Sequence, residues 1–129
     1  MSSGSLVPEG LLYTATHEWV KVDGNMATIG ITDHAQSELT DVVFVDLPPV
    51  GKVIEGKDVL VVLESVKTVA EVYAPVGGKV VKINEDVKKS PELVNKDPYG
   101  KGWLVAIEME SAPANLMTPD KYKVSLSSK

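Results

Sequence analysis

Short extended runs dominate the hydrophobic pattern of this chain. Val59 to Leu63 is five apolar residues in a row, and Val69 to Tyr73 (VAEVY) is a second extended run. Both are short and rich in β-branched side chains, which favours strands over a helix. A tight reversal is all that fits between them, and it places Lys67 at or near its tip. Gly56 and Gly78 stand eleven residues before and eleven after that lysine, as in a hairpin folded about its midpoint.

The same reading extends along the chain. Leu12 to Val22 reads as one strand with Trp19 as its core residue, and Asp23-Gly24-Asn25 as the hairpin turn leading to a partner strand, Met26 to Ile31. Asp33 followed by Gln36 fits a capping box, so a short helix is expected over Thr32 to Leu39. Asp41 to Leu47 is another strand, stopped by Pro48-Pro49 because proline cannot donate to a ladder. Ala74 to Gly78 is a turn, Lys79 to Ile83 a strand, Pro91 to Gly102 a loop dense in turn formers, and Trp103 to Glu108 a closing strand. Thr118-Pro119 suits the cap and first position of a C-terminal helix that contains Tyr122 and frays from Ser127. Gly51-Lys52-Val53 and Gly78-Lys79-Val80 look like two copies of one strand start. With the glycine symmetry they suggest two β halves related by a pseudo-twofold about the Lys67 turn. Many short strands with one or two small helices predict a mainly β sandwich or barrel.

Composition narrows the function classes. At 129 residues, 43% hydrophobic and 24% charged, the chain suits one globular domain with a real core. It has no cysteine, and two histidines, His17 and His34, are too few for a strong metal site. The net charge is −5 and all thirteen basic residues are lysines, so the electrostatic footprint of a nucleic-acid binder is missing. No apolar run approaches a membrane span. Met1 to Ser5 reads as neither a signal nor a transit peptide.

Catalytic constellations are also missing. No histidine is near Ser65 in sequence, there is no G-x-S-x-G elbow, and the glycines before the strands form no phosphate cradle. His17-Glu18 and Asp33-His34 can each be drawn as an acid–base pair. Neighbours on a strand face opposite ways, which counts against His17-Glu18 as a working dyad, and both pairs read as polar, partly buried surface. A lysine on a rigid tip has one clear chemical use, as the anchor of a swinging group; the plain alternative is a solvated turn lysine.

Glu64-Ser65-Val66-Lys67, flanked by Gly56 and Gly78, resembles the attachment hairpin of lipoyl and biotinyl carrier domains. Biotin carriers typically flank the lysine with methionines, where Val66 and Thr68 stand here, and acyltransferase lipoyl domains usually read Glu-Thr-Asp-Lys. The Glu-Ser-Val-Lys variant is similar to the H proteins of the glycine cleavage system. Thr16 to Val20, Gly30 to Gln36, Asp41 to Pro48, Val72 to Pro75, Pro91 to Asn95 and Asp97 to Gly100 resemble that family in the right order. Thr68 departs from the alanine commoner after the lysine.

The resemblance implies a flattened β-barrel or sandwich of the lipoyl-domain (barrel-sandwich hybrid) type. It implies a disordered or expression-derived N-terminus over residues 1–10 and a single carrier domain over 11–129. The implied role is a non-catalytic carrier with (R)-lipoate in amide linkage to Lys67, and Glu64, Ser65, Val66 and Thr68 forming the turn that a modifying enzyme recognises. The arm takes an aminomethyl group from a pyridoxal-phosphate glycine decarboxylase (P protein) to a folate-dependent aminomethyltransferase (T protein). A flavin-containing dihydrolipoyl dehydrogenase (L protein) then reoxidises it. A lipoate ligase or a lipoyl/octanoyl transferase is the remaining partner. No nucleic acid, membrane or metal is involved. Glu18, Asp33 and His34 lie in segments that simple lipoyl domains lack, so they are the candidates for a cleft sheltering the loaded arm, Glu18 first because it carries the charge a cationic group needs. The alternatives are a donor of lipoyl or octanoyl groups to other complexes, or a biotinyl carrier. The implied compartment is the bacterial cytoplasm, or the mitochondrial matrix in a eukaryote.

Overall fold

Alternating and β-branched runs pair into two antiparallel sheets in the computed structural model, which describes residues 6–127. In chain order the elements are β1 (Leu12–Tyr13), β2 (Glu18–Asp23), β3 (Met26–Ile31), α1 (Asp33–Leu39), β4 (Val42–Asp46), β5 (Val53–Ile54), β6 (Val59–Ser65), β7 (Val69–Tyr73), β8 (Gly78–Ile83), α2 (Glu85–Lys89), α3 (Leu93–Lys96), β9 (Val105–Met109) and α4 (Pro119–Ser127). One sheet has the order β1-β2-β3-β9-β8-β5 and the other β4-β6-β7. Val20, Ile29, Val45, Leu63, Val80 and Ile107, from both sheets, share one core. The result is mainly β with short helices, as the strand pattern predicts, and is consistent with the flattened barrel-sandwich that the resemblance implies.

β8, which opens on Gly78-Lys79-Val80, and β5, which begins at the valine of Gly51-Lys52-Val53, lie side by side and antiparallel. The Gly51 N–H donates to the Val80 carbonyl at 2.7 Å, and the Val80 N–H donates to the Lys52 carbonyl at 2.9 Å. The glycines flanking the central hairpin are not equivalent. Gly78 has φ +153°, and a Cβ there would sit 2.0 Å from the Glu108 carbonyl oxygen on β9, so only glycine fits. Around Gly56 there is open space.

Four local expectations are corrected. Leu12 to Val22 is not one strand: the chain bends at Thr14 to His17, and β1 folds back on β2 with Leu12 opposite Val20 and Tyr13 opposite Trp19. His17 takes φ +71° in the bend, and the Thr14 N–H donates to the Glu18 carbonyl at 3.0 Å. The N-cap of α1 is Thr32, whose Oγ1 accepts from the Ala35 N–H at 3.2 Å; Asp33 stands in the first turn and accepts from Gln36 Nε2 at 2.8 Å. The region read as loop includes α3, and α2, capped by Asn84, stands just before it. The closing strand starts at Val105, not Trp103.

At the C-terminus α4 begins at Pro119 as expected, with Thr118 Oγ1 accepting from the Lys121 N–H at 3.3 Å. Ser127 is helical, and the fraying expected beyond it lies outside the described residues. A second apolar cluster joins the two ends of the chain: Val7, Tyr13, Trp19, Tyr122 and Leu126. The Tyr13 and Tyr122 rings stack at 4.7 Å and 8°. Tyr13 Oη donates to the Pro8 carbonyl at 2.6 Å, and the Leu6 N–H to Asp33 Oδ2 at 2.9 Å. The contacts of Leu6 to Pro8 thus reach ahead of the expected domain start at residue 11. Met1 to Ser5, the rest of that expected N-terminal segment, lie outside the described residues.

Candidate functional site

The β6–β7 reversal turns on Ser65. Its N–H donates to the Thr68 carbonyl at 2.8 Å, and its Oγ accepts from the Lys67 N–H at 3.2 Å and the Thr68 N–H at 3.0 Å. One short hydroxyl side chain thereby satisfies the backbone of a turn too tight to satisfy itself. The Val66 N–H donates to the Asp41 carbonyl at 3.0 Å, tying the tip to the start of β4. The backbone at Lys67 is therefore held while its side chain, like those of Val66 and Thr68, is exposed. No carboxylate forms a salt bridge with Lys67 among the described residues, so its ammonium group is accessible. Glu64 lies exposed on β6, with Phe44 and Val69 opposite it on the two neighbouring strands.

At the other end of β7, Tyr73 helps line a cavity of about 620 Å³. Its floor carboxylate is Glu18, at 2% exposure a buried group and not the surface residue its place on a strand suggests. The bend that interrupts the expected long strand accounts for this. Thr14 and Thr16 turn their hydroxyls onto Glu18 Oε1, the latter at 2.6 Å, and the Tyr73 N–H donates to Oε2 at 3.1 Å. Three donors hold the carboxylate in place at the cavity wall, which also includes Lys57, Ala74 and Leu116.

Asp33 and His34 are not among the residues lining this cavity. The Asp33 carboxylate is engaged with the Leu6 N–H and Gln36, and the Asp33 N–H donates to Tyr99 Oη at 2.9 Å. His34 lies beside His17, ring centroids 4.6 Å apart. His17 Nδ1 is 2.8 Å from Tyr122 Oη, which is also 2.7 Å from Thr32 Oγ1. These groups form a polar joint between α4 and the bend preceding Glu18. Burial pushes the Tyr122 phenol up to about 12, and it raises the Tyr13 and Tyr99 phenols as well. The Tyr73 phenol is raised by its hydrogen bond to Glu71 at 3.1 Å.

The cavity residues missed in the sequence are Thr14, Thr16, Lys57, Tyr73 and Leu116. The Thr-x-Thr-x-Glu spacing was a usable signal, because hydroxyls two and four residues before a carboxylate can reach it across a bend. Lys57, Tyr73 and Leu116 come from three distant segments and have no such signal.

Among the described residues no three histidine or acidic side chains are placed to hold a metal ion, and no helix is long and apolar enough to cross a membrane.

Residues 11–129 match the family model for the glycine cleavage H-protein. A glycine cleavage system H protein of Herpetosiphon aurantiacus is 54% identical over 119 residues, covering 92% of each chain. A probable glycine cleavage system H protein of Thermoplasma acidophilum is 54% identical over 118 residues, covering 92% of this chain and 94% of its own. The crystal structure of a glycine cleavage system H protein from Mycobacterium marinum superposes with a TM-score of 0.88 at 34% identity, covering 94% of this chain and 99% of the other. The chain belongs to the glycine cleavage H-protein family.

Proposed function

We propose that this member of the glycine cleavage H-protein family is a non-catalytic carrier, modified with (R)-lipoate at Lys67 Nζ, that moves the aminomethyl group of glycine between the decarboxylase, the aminomethyltransferase and the dihydrolipoyl dehydrogenase. The observation that carries the reading is the Lys67 tip, an exposed primary amine on a backbone fixed by Ser65. Its chemical fit to the cofactor is direct. Lys67 Nζ attacks an activated lipoyl carboxyl, loses a proton and becomes an amide nitrogen; ATP supplies the activation and leaves as AMP and pyrophosphate. Lipoate then supplies a dithiolane that opens to accept the one-carbon amine unit and is re-formed by oxidation.

This chain's own residues do three things in that scheme. Ser65 holds the turn in one shape, with Glu64, Val66 and Thr68 around the lysine for a ligase or transferase to read. Acylation removes the Lys67 charge, so the side chain can lie against apolar surface. Glu18, buried and held by Thr14, Thr16 and Tyr73, offers a carboxylate to a cationic group at the wall of the cavity. Asp33 and His34 do not line that cavity; His34 stands beside His17 at the α4 joint, and Asp33 is engaged with Leu6, Gln36 and Tyr99. The prokaryotic relatives support the cytoplasm as the compartment.

Incubation with lipoate, ATP and a lipoate–protein ligase, read by intact mass, tests the assignment. We expect one lipoyl increment on the wild type and none on Lys67→Arg. Lipoyl mass remaining on the variant refutes Lys67 as the sole attachment site.

A further inference from the structure

Three side chains meet at the joint between α4 and the bend before Glu18, and two of them are wholly buried. Tyr122 and Thr32 are 0% exposed, and Tyr122 Oη lies 2.7 Å from Thr32 Oγ1 and 2.8 Å from His17 Nδ1. Thr32 Oγ1 also accepts from the Ala35 N–H as the cap of α1. Each of the two contacts of Tyr122 Oη uses one hydrogen. With His17 Nδ1 unprotonated there are two hydroxyl hydrogens for the two contacts, so Thr32 donates to Tyr122 and Tyr122 donates to His17. A proton on Nδ1 makes three hydrogens for the same two contacts. Thr32 or Tyr122 is then left with a buried hydroxyl proton that has no acceptor. The joint therefore selects the neutral imidazole that carries its proton on Nε2, and charging the ring breaks the chain.

The ionisable groups around the ring are committed elsewhere or add to the effect. From α1, the His34 ring lies 4.6 Å from the His17 ring, so a charge on both is repulsive. The Asp33 carboxylate, also on α1, accepts from the Leu6 N–H and from Gln36. Glu18 on β2 accepts from Thr14, Thr16 and the Tyr73 N–H. Tyr13 of β1 stacks on Tyr122, Tyr99 Oη accepts from the Asp33 N–H, and burial keeps both phenols neutral throughout the histidine range. Of the remaining charges on α4, Lys123 pairs with Glu9 at 3.7 Å, and Asp120 and Lys121 are exposed.

The same helix is continuous with one wall of the cavity. Ala114 to Leu116 line it and lead directly into Met117, which exchanges two backbone hydrogen bonds with Tyr13 at 2.7 and 2.8 Å, and then into α4. His17 stands between Thr16 and Glu18, which belong to another part of the lining. We infer that α4 is a pH-sensitive clasp on the cavity: neutral His17 holds it through Tyr122 and Thr32, and protonation of His17 releases it together with Ala114 to Leu116. The clasp does not depend on what Lys67 carries. The native joint excludes a proton that the unfolded chain takes up at about pH 6.5, so the helix is held above that pH and loosens as the pH falls below it.

Hydrogen exchange of the unmodified chain, followed by mass spectrometry from about pH 7.5 to about pH 5.5 and corrected for intrinsic amide rates, tests the clasp. Opening of residues 114–126 is expected to rise about tenfold over that range while Val59 to Tyr73 stays flat. His17→Asn puts an oxygen acceptor in the place of Nδ1, tolerates the φ of +71° and does not titrate, so α4 is expected to stay closed throughout. Tyr122→Phe is expected to open α4 already at about pH 7.5 and to lose the pH response. The ring-nitrogen resonances of wild-type His17 at about pH 8 are expected to show the proton on Nε2. A wild-type α4 that does not respond to pH overturns the inference, as does a rise shared equally by Val59 to Tyr73, which is global unfolding. So does a wild-type response kept in His17→Asn or in Tyr122→Phe, or a neutral His17 with its proton on Nδ1.

Discussion

Tyr122→Phe isolates one hydroxyl group at the point where the two ends of the chain meet. The side chain is fully buried, and its ring stacks on Tyr13 at 4.7 Å. Phenylalanine keeps that stack and removes only the contacts of Oη, to Thr32 Oγ1 at 2.7 Å and to His17 Nδ1 at 2.8 Å. A net hydrogen bond is worth about 1 kcal/mol, and a buried partner that loses its bond costs about 1–3 kcal/mol. With Thr32 still capping α1, the sum expected is about 2–3 kcal/mol. For a 129-residue chain the unfolding entropy converts each kcal/mol to about 4 °C, so the melting temperature should fall by about 10 °C. Thermal unfolding followed by far-UV circular dichroism at neutral pH measures it. A fall of less than about 2 °C refutes the view that this hydroxyl ties α4 to the bend before Glu18.

Three further outcomes follow from the same contacts. The Tyr122 phenol, pushed up to about 12, ionises near its ordinary 10.0 once unfolded. The native state therefore holds the proton longer, and stability should be flat from this group below pH 10 and fall by about 3 kcal/mol as the pH rises toward 12; denaturant melts across that window should show the fall, and Tyr122→Phe should lose part of it. Glu18→Gln replaces an acceptor for three donors with an amide that presents hydrogens at one end. Lipoylation should be unchanged, stability lower by about 1–2 kcal/mol, and the aminomethylated form about tenfold shorter-lived; unchanged decay removes Glu18 from the sheltering role. Gly78→Ala would place a Cβ 2.0 Å from the Glu108 carbonyl oxygen at φ +153°, so the β8–β9 ladder should lose more than about 3 kcal/mol, and a wild-type melting temperature would rule out that close approach.

The Lys67 tip was legible in the sequence because everything that makes it is local. Val59 to Tyr73 contains both strands, the turn and the Ser65 that holds it. The cavity at Glu18 was half legible. Glu18 could be chosen for its charge, but its burial depends on a bend at Thr14 to His17 that no glycine or proline marks. A non-glycine residue at φ +71° leaves no trace in an alternating pattern, so LYTATHEWVKV reads as one strand. Asp33 was chosen as a cap and a cleft residue, whereas Thr32 does the capping and Asp33 faces Leu6 and Gln36. Adjacent polar residues compete for such roles, and the outcome depends on backbone angles that sequence spacing leaves open. α2 and α3 are single turns stabilised by tertiary contacts, as Asn95 bonding to the Val42 N–H and the Thr40 carbonyl illustrates.

The polar joint of His17 with Tyr122 spans 105 residues of sequence. The cavity beside it draws its walls from Thr14 to Glu18, from Lys57, from Tyr73 to Pro75 and from Ala114 to Leu116. The Lys67 hairpin, in contrast, closes over a turn from Ser65 to Thr68. Loop-closure entropy favours the short-range contact and defers the long-range one. A ribosome releases the lysine hairpin well before it releases Ala114 to Leu116, so the tip proposed to receive the arm is complete in principle while the cavity proposed to hold it still lacks one wall.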